Sequence, residues 1–152
     1  MRNSTLCYIE KDGKYLMLHR TKKADDINEG KWIGVGGKIE EKESPNECVV
    51  REVMEETGLK LTGYKYRGIV TFASDTWDTE YMHLFTATEF LGEVNEDVCD
   101  EGELRWIPKD DLDKLNLWEG DKVFLKLLQE KEDFFSVKLR YEGEKLVESV
   151  VY

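Results

Sequence analysis

Apolar and polar positions along the chain set out a series of short elements. Leu6 to Glu10 and Tyr15 to Arg20 are apolar-rich runs on either side of Lys11-Asp12-Gly13-Lys14. Asp-Gly between two such runs predicts a tight antiparallel hairpin. Thr21 to Gly30 reads as a polar loop. Trp32-Ile33-Gly34-Val35-Gly36-Gly37 follows, where successive glycines let the backbone turn sharply or approach a ligand closely. Ser44-Pro45-Asn46-Glu47 combines a capping serine, a proline suited to the first helical position and a glutamate that completes a capping box. The helix is expected to run to about Thr57 and stop at Gly58. Strands are expected over Tyr64–Ala73, Glu80–Phe90 and Leu104–Ile107, with a short helix from Pro108 through Leu115. Val123, Phe124, Leu127 and Leu128 recur at helical spacing within Lys122–Gln129. Phe135–Tyr141 and Leu146–Tyr152, around Glu142-Gly143, read as a closing hairpin. No repeat, low-complexity tract or linker interrupts the series. The pattern predicts one α+β domain over residues 1–152, rich in antiparallel sheet.

Charge narrows the function classes. The 33 Asp and Glu against 22 Lys and Arg in 152 residues give a formal charge of −11. Direct nucleic-acid binding and anionic membranes call for a basic face, so neither is expected as a partner. The same logic opposes a phosphate-bearing ligand unless cations intervene. No apolar run approaches the ~18 residues of a membrane span, and the amino terminus lacks the apolar core of a signal peptide. Cys7, Cys48 and Cys99 lie far apart and are odd in number, which argues against a zinc site or disulfide framework. A cytoplasmic location is expected. The pattern does not distinguish a monomer from a homodimer.

Candidate chemistry lies on the helix 44–57. With Cys48 at zero on a helical wheel, Glu52, Glu55 and Glu56 fall at about 40°, 340° and 80°, and Val49, Val50, Val53 and Met54 spread over roughly 100–240°. The wheel thus predicts an acidic face opposite an apolar, core-facing one. A solvated acidic face is one reading. However, the three glutamates repel at i, i+3 and i+4, with Arg51 the one cation among them and no relieving lysine. A bound divalent cation is the other reading, and hard oxygen ligands favour Mg²⁺ or Mn²⁺.

Gly37, five residues, Glu43, seven residues, then Arg51-Glu52-Val53-Met54-Glu55-Glu56-Thr57-Gly58-Leu59 resembles the Nudix box without a departure. The resemblance implies a Nudix hydrolase: an α/β/α sandwich around a mixed, largely antiparallel sheet, cleaving a nucleoside diphosphate linked to a further group. It implies Glu52, Glu55 and Glu56 as Mg²⁺ ligands joined by the Gly37 carbonyl. It further implies an ion pair of Glu43 with Arg51 that orients the helix. Family members take the base either from the box, here Glu55 or Glu56, or from a later loop. Asp100-Glu101-Gly102-Glu103 offers that loop, with Glu101 as base or additional ligand; an ordinary acidic loop is the alternative.

Beyond the box the chain is similar to MutT-type proteins and oxidised-purine nucleoside triphosphatases. Gly30-Lys31-Trp32 leading to Gly36-Gly37-Lys38 carries that similarity, with the order Trp106, Pro108, Trp118, amphipathic helix, Phe134-Phe135 and final hairpin. The implied reaction converts an oxidised purine dNTP, such as 8-oxo-dGTP, into monophosphate and pyrophosphate, a nucleotide-pool sanitation that avoids mutation. Trp118 offers a face for a purine and Asp121 a hydrogen bond to its edge, against simple core packing for Trp118. Arg20, Lys23 and Lys38 are candidates for the phosphate tail, against ordinary solvated cations. The sequence departs from the animal pattern at two places. Ile33 stands where a base-reading asparagine is expected, and Gly120-Asp121 where a pair of aspartates is. Ile33 has no hydrogen-bonding side chain, so backbone groups or another residue must read the base. The same class admits ADP-ribose, dinucleoside polyphosphates, NADH or RNA 5′ ends as substrates. The rival class, a nucleotide sensor that binds without catalysis, predicts a broken box, and this box is complete.

Overall fold

The computed structural model describes residues 1–22 and 26–152. The strands are β1 (Arg2–Lys11), β2 (Lys14–Arg20), β3 (Trp32–Ile33), β4 (Lys60–Ser74), β5 (Glu80–Leu91), β6 (Gly102–Pro108), β7 (Phe135–Glu142) and β8 (Lys145–Val151). The helices are α1 (Pro45–Thr57) and α2 (Glu119–Glu130), with 3-10 turns at Glu96–Val98 and Lys109–Lys114. At the first hairpin Asp12 and Gly13 both take positive φ, 52° and 74°, as a two-residue turn of this hand requires. The strand order is β3-β2-β1-β5-β4-β7-β8, with β6 also paired to β2. β1 runs parallel to β5, and β4 parallel to β7; the remaining pairs are antiparallel.

Two apolar layers cover the sheet. Val49 and Val53 of α1 pack with Cys7, Ile9, Leu18 and Phe85. Phe124, Leu125 and Leu128 of α2 pack with Tyr8, Val70, Val137 and Leu139. The architecture is an α/β/α sandwich around a mixed sheet, and no described helix is long and apolar enough to cross a membrane.

One irregularity positions the site. β1 meets β2 at Glu10–Tyr15 and Lys11–Lys14, then turns away to pair with β5. The 35–38 segment bridges to β1 instead, at Ser4–Lys38 and Cys7–Val35. Thr5 N–H donates to the Gly37 carbonyl at 2.8 Å. A Cβ on Gly36 would lie 1.9 Å from the Thr5 carbonyl oxygen, so glycine alone allows this approach.

α1 shows the expected ends. Ser44 Oγ accepts from the Glu47 N–H, the Glu47 carboxylate accepts from the Ser44 N–H, and Gly58 caps at φ 80°. Its roll differs from the wheel. The buried stripe is Cys48, Val49, Val53, Glu56 and Thr57, whereas Met54 is 42% exposed. Thr57 is buried cheaply because its hydroxyl donates to the Val53 carbonyl (2.6 Å) and accepts from the Leu59 N–H (3.0 Å). The carboxylates therefore do not share a solvent face: Glu56 lies within the buried stripe. β4 begins at Lys60, four residues early, because sheet pairing carries the Lys60–Gly63 stretch, in which Leu61 is the one apolar side chain, that periodicity misses. α2 begins at Glu119 rather than Lys122, with Glu119 and Asp121 favourably placed in its first turn.

Candidate active site

Glu56 is the most enclosed of the box glutamates, at 7% exposure, and its Oε2 is buried without a hydrogen-bond partner among the described residues. Burial pushes its carboxyl well above the ordinary range, the nearby Glu101 and Glu52 carboxylates add to the rise, and Arg20 opposes it. Glu52 is raised too, again chiefly by burial. A Cβ on Gly37 would sit 2.5 Å from Glu52 Cδ, so any side chain there would displace that carboxylate.

Arg51 organises the outer part. It grips Glu43 with two bonds, Nε to Oε2 at 2.7 Å and Nη2 to Oε1 at 2.9 Å. Its Nη1 donates to Glu52 at 2.8 Å and Glu55 at 3.2 Å, and its Nη2 to the Lys38 carbonyl at 3.1 Å. These bonds hold the Glu43 carboxyl near 2 and raise the guanidinium. One cation thus offsets the i, i+3 repulsion that the sequence leaves open. Glu55, which it also contacts, has a side chain 58% exposed. Among the described residues no three acidic, histidine or cysteine side chains sit at metal-holding separations.

Glu101 arrives from the other end of the chain. β6 pairs with β2 so that Gly102 faces Arg20. The Glu101 carbonyl accepts from the Thr21 and Lys22 N–H groups at 3.3 Å each. Arg20 Nη1 donates to Glu101 Oε2 at 2.6 Å, and its Nε to Asp26 Oδ2 at 2.8 Å. Arg20 lines the adjoining cavity, yet its guanidinium is committed to two carboxylates. Asp26 went unread in the sequence because a lone acid in a polar loop carries no signal.

The cavity is lined by Arg20, Gly36 and Gly37 together with Phe72, Met82, Trp118, Asp121 and Tyr141. Trp118 is 6% exposed, meets Phe72 and Tyr141 edge-on, and carries Lys31 Nζ 5.1 Å from its ring centroid. It belongs to the core and to the cavity wall at once. Asp121 is equally buried, and its side chain makes no hydrogen bond among the described residues. Burial pushes its carboxyl up to about 8, with Lys31 pulling the other way. Asn28 and Ile33 line the same space. The Lys38 side chain is exposed and lies outside this lining, and Lys23 falls outside the described residues.

Gly120 is demanded by packing. A Cβ there would meet Leu139 Cδ1 at 2.5 Å and the Tyr141 hydroxyl at 2.6 Å, and that hydroxyl accepts from the Gly120 N–H. Gly120→Asp, which would supply a pair of aspartates, is expected to cost about 2 kcal/mol and several degrees of Tm. An unchanged thermal melt would contradict this packing argument.

A carboxylate-bearing helix, a glycine-opened strand approach and a cavity beside them are the frame on which the comparisons fall. Residues 1–128 match the NUDIX domain, and the chain belongs to that family. It is 28% identical to an uncharacterised Nudix hydrolase, YvcI, of Bacillus subtilis, over 95% of this chain and 89% of that one. It is also 28% identical to the oxidised purine nucleoside triphosphate hydrolase of Danio rerio, over 94% and 88%. The MutT protein from Bacillus halodurans superposes with a TM-score of 0.88 at 27% identity, over 99% of this chain and 97% of that one.

Proposed function

We propose that the protein is a Mg²⁺-dependent nucleoside triphosphate pyrophosphohydrolase acting on oxidised purine dNTPs such as 8-oxo-dGTP, with monophosphate and pyrophosphate as products. One observation carries the reading: a single cavity is lined by Trp118 and buried Asp121 and also by Gly37, which abuts the Glu52 carboxylate of the box. A base held against Trp118 and Asp121 would direct its phosphates toward Gly37 and Glu52. The hydrolase activity named for the Danio rerio relative agrees with it.

The donor set fits a hard divalent cation, because Glu56 Oε2 is a buried, unpartnered oxygen pressed by two further carboxylates. Glu52, Glu55, Glu56, Glu101 and the Gly37 carbonyl would hold Mg²⁺ or Mn²⁺, which when bound neutralises phosphate charge and activates water. Arg51 and Glu43 fix the helix face, as outer partners of ligands do. Glu101, gripped by Arg20, is assigned to take the proton of the attacking water. Arg20 therefore positions Glu101 rather than meeting the phosphate tail, which is left to Lys38 and Lys23. Three free, buried thiols suit a reducing cytoplasm.

A substrate panel tests the reading. Oxidised and normal purine triphosphates, ADP-ribose, a dinucleoside polyphosphate and NADH are compared by kcat/KM, with separate detection of pyrophosphate and phosphate. Pyrophosphate release and a preference for oxidised purines are expected, lost on chelation and restored by Mg²⁺. Equal kcat/KM across the panel would sink the sanitation role.

A further inference from the structure

The sequence leaves a gap at Ile33, an apolar side chain where a base-reading group is needed, and the cavity holds a side chain that fills it. Asn28 lines the same space as Ile33 and Asp121. Trp118 Nε1–H donates to Asn28 Oδ1 at 2.9 Å across 90 residues of sequence. An indole nitrogen only donates, so the amide oxygen must face it and the orientation of the amide follows. The NH2 group then points away from Trp118, with no partner among the described residues. The turn that carries it is pinned: the Asn28 carbonyl accepts from the Lys31 N–H at 2.8 Å, and the Gly30 N–H donates to the Arg20 carbonyl at 2.7 Å.

We propose that Asn28 is a specificity-determining residue whose amide NH2 donates to a ring carbonyl of the base, selecting 6-oxopurines over 6-aminopurines. The inference rests on the purine triphosphate reading above. A 6-oxopurine presents an acceptor at O6, in 8-oxoguanine as in hypoxanthine, whereas a 6-aminopurine places a donor at N6, which would oppose the amide hydrogens. Trp118 fixes the reader and walls the pocket, so base contact and base reading are coupled through one hydrogen bond.

Asn28→Asp separates reading from support, because its carboxylate still accepts from the Trp118 indole but offers no donor. The probes are dITP and dATP, which differ in the group at position 6 of the base and in the proton that goes with it at N1. Wild-type protein is expected to favour dITP by about tenfold in kcat/KM, the scale of one buried hydrogen bond. Asn28→Asp should erase or invert that ratio, with Tm shifted by no more than about 2 °C. A merely supporting Asn28 would lower both substrates together and leave the ratio unchanged. That result, in a protein that hydrolyses purine triphosphates, overturns the role of Asn28 and leaves the proposed activity standing. Wild-type protein that cleaves no purine triphosphate, oxidised or normal, but cleaves ADP-ribose, a dinucleoside polyphosphate or NADH overturns the underlying reading, and Asn28 with it.

Discussion

Glu56→Gln is expected to lose about 10²–10³ in turnover while unfolding at a temperature no lower than the wild type. The two halves have one cause. Glu56 is a carboxyl held in a buried stripe with an unpartnered oxygen, beside two other acids. Such a group costs stability when charged and gains only when something cationic meets it. Glutamine keeps the volume, removes the charge and can donate to the neighbouring carboxylate. The folded-state value of Glu56 is raised, so the folded protein binds more protons than the unfolded chain above the ordinary carboxyl range. Its contribution is therefore present at low pH and lost as pH rises. The variant's advantage in Tm should accordingly grow from pH 6 to pH 8.5. Added Mg²⁺ should raise the Tm of the wild type and leave that of the variant nearly unchanged. Near-normal turnover of Glu56→Gln at saturating Mg²⁺ would remove Glu56 from the machinery.

Asp121 should separate two substitutions that differ by one atom group. Asp121→Ala is expected to reduce kcat/KM for purine triphosphates by about 10²-fold at every pH, because a buried hydrogen-bonding pocket loses its partner. Asp121→Asn should stay within severalfold of the wild type at pH 6.5. With its carboxyl up at about 8, Asp121 is protonated there and offers one donor and one acceptor, as an amide does. Above pH 8 the aspartate becomes an acceptor only, so the wild-type and Asp121→Asn profiles should part. Stability follows the same direction. The folded value stands above the ordinary 3.8, so stability from this group is full below about 4 and is lost as pH rises through about 8. Thermal melts of Asp121→Asn should be flatter with pH than those of the wild type. Parallel profiles in both measurements would show Asp121 to be charged in the cavity at neutral pH.

Features closed within a few residues were legible in the chain. The capping box at Ser44–Glu47, the left-handed stop at Gly58 and the Asp12-Gly13 turn depend on bonds spanning four residues or fewer, and the structure has each. The hydrophobic period located α2, though not its first turn, where Glu119, Gly120 and Asp121 carry no apolar signal. The Nudix box was readable because its residues share one helix and the strand approach before it. The roll of α1 was not. A wheel ranks faces by hydrophobicity, whereas packing buried Glu56 and Thr57 and left Met54 outside.

Spacing along the chain thus decided the class of chemistry, because a ladder of glutamates on a capped helix is a local construction. The surroundings of that helix were assembled by long-range contacts. Arg20 meets Glu101 across 81 residues, Trp118 meets Asn28 across 90, and Gly120 is glycine because Leu139 and Tyr141 press on it. None of these partners is implied by its neighbours in sequence. They are brought together by β6 pairing on β2 and by α2 packing over the sheet, and only there do their distances and burial acquire chemical meaning.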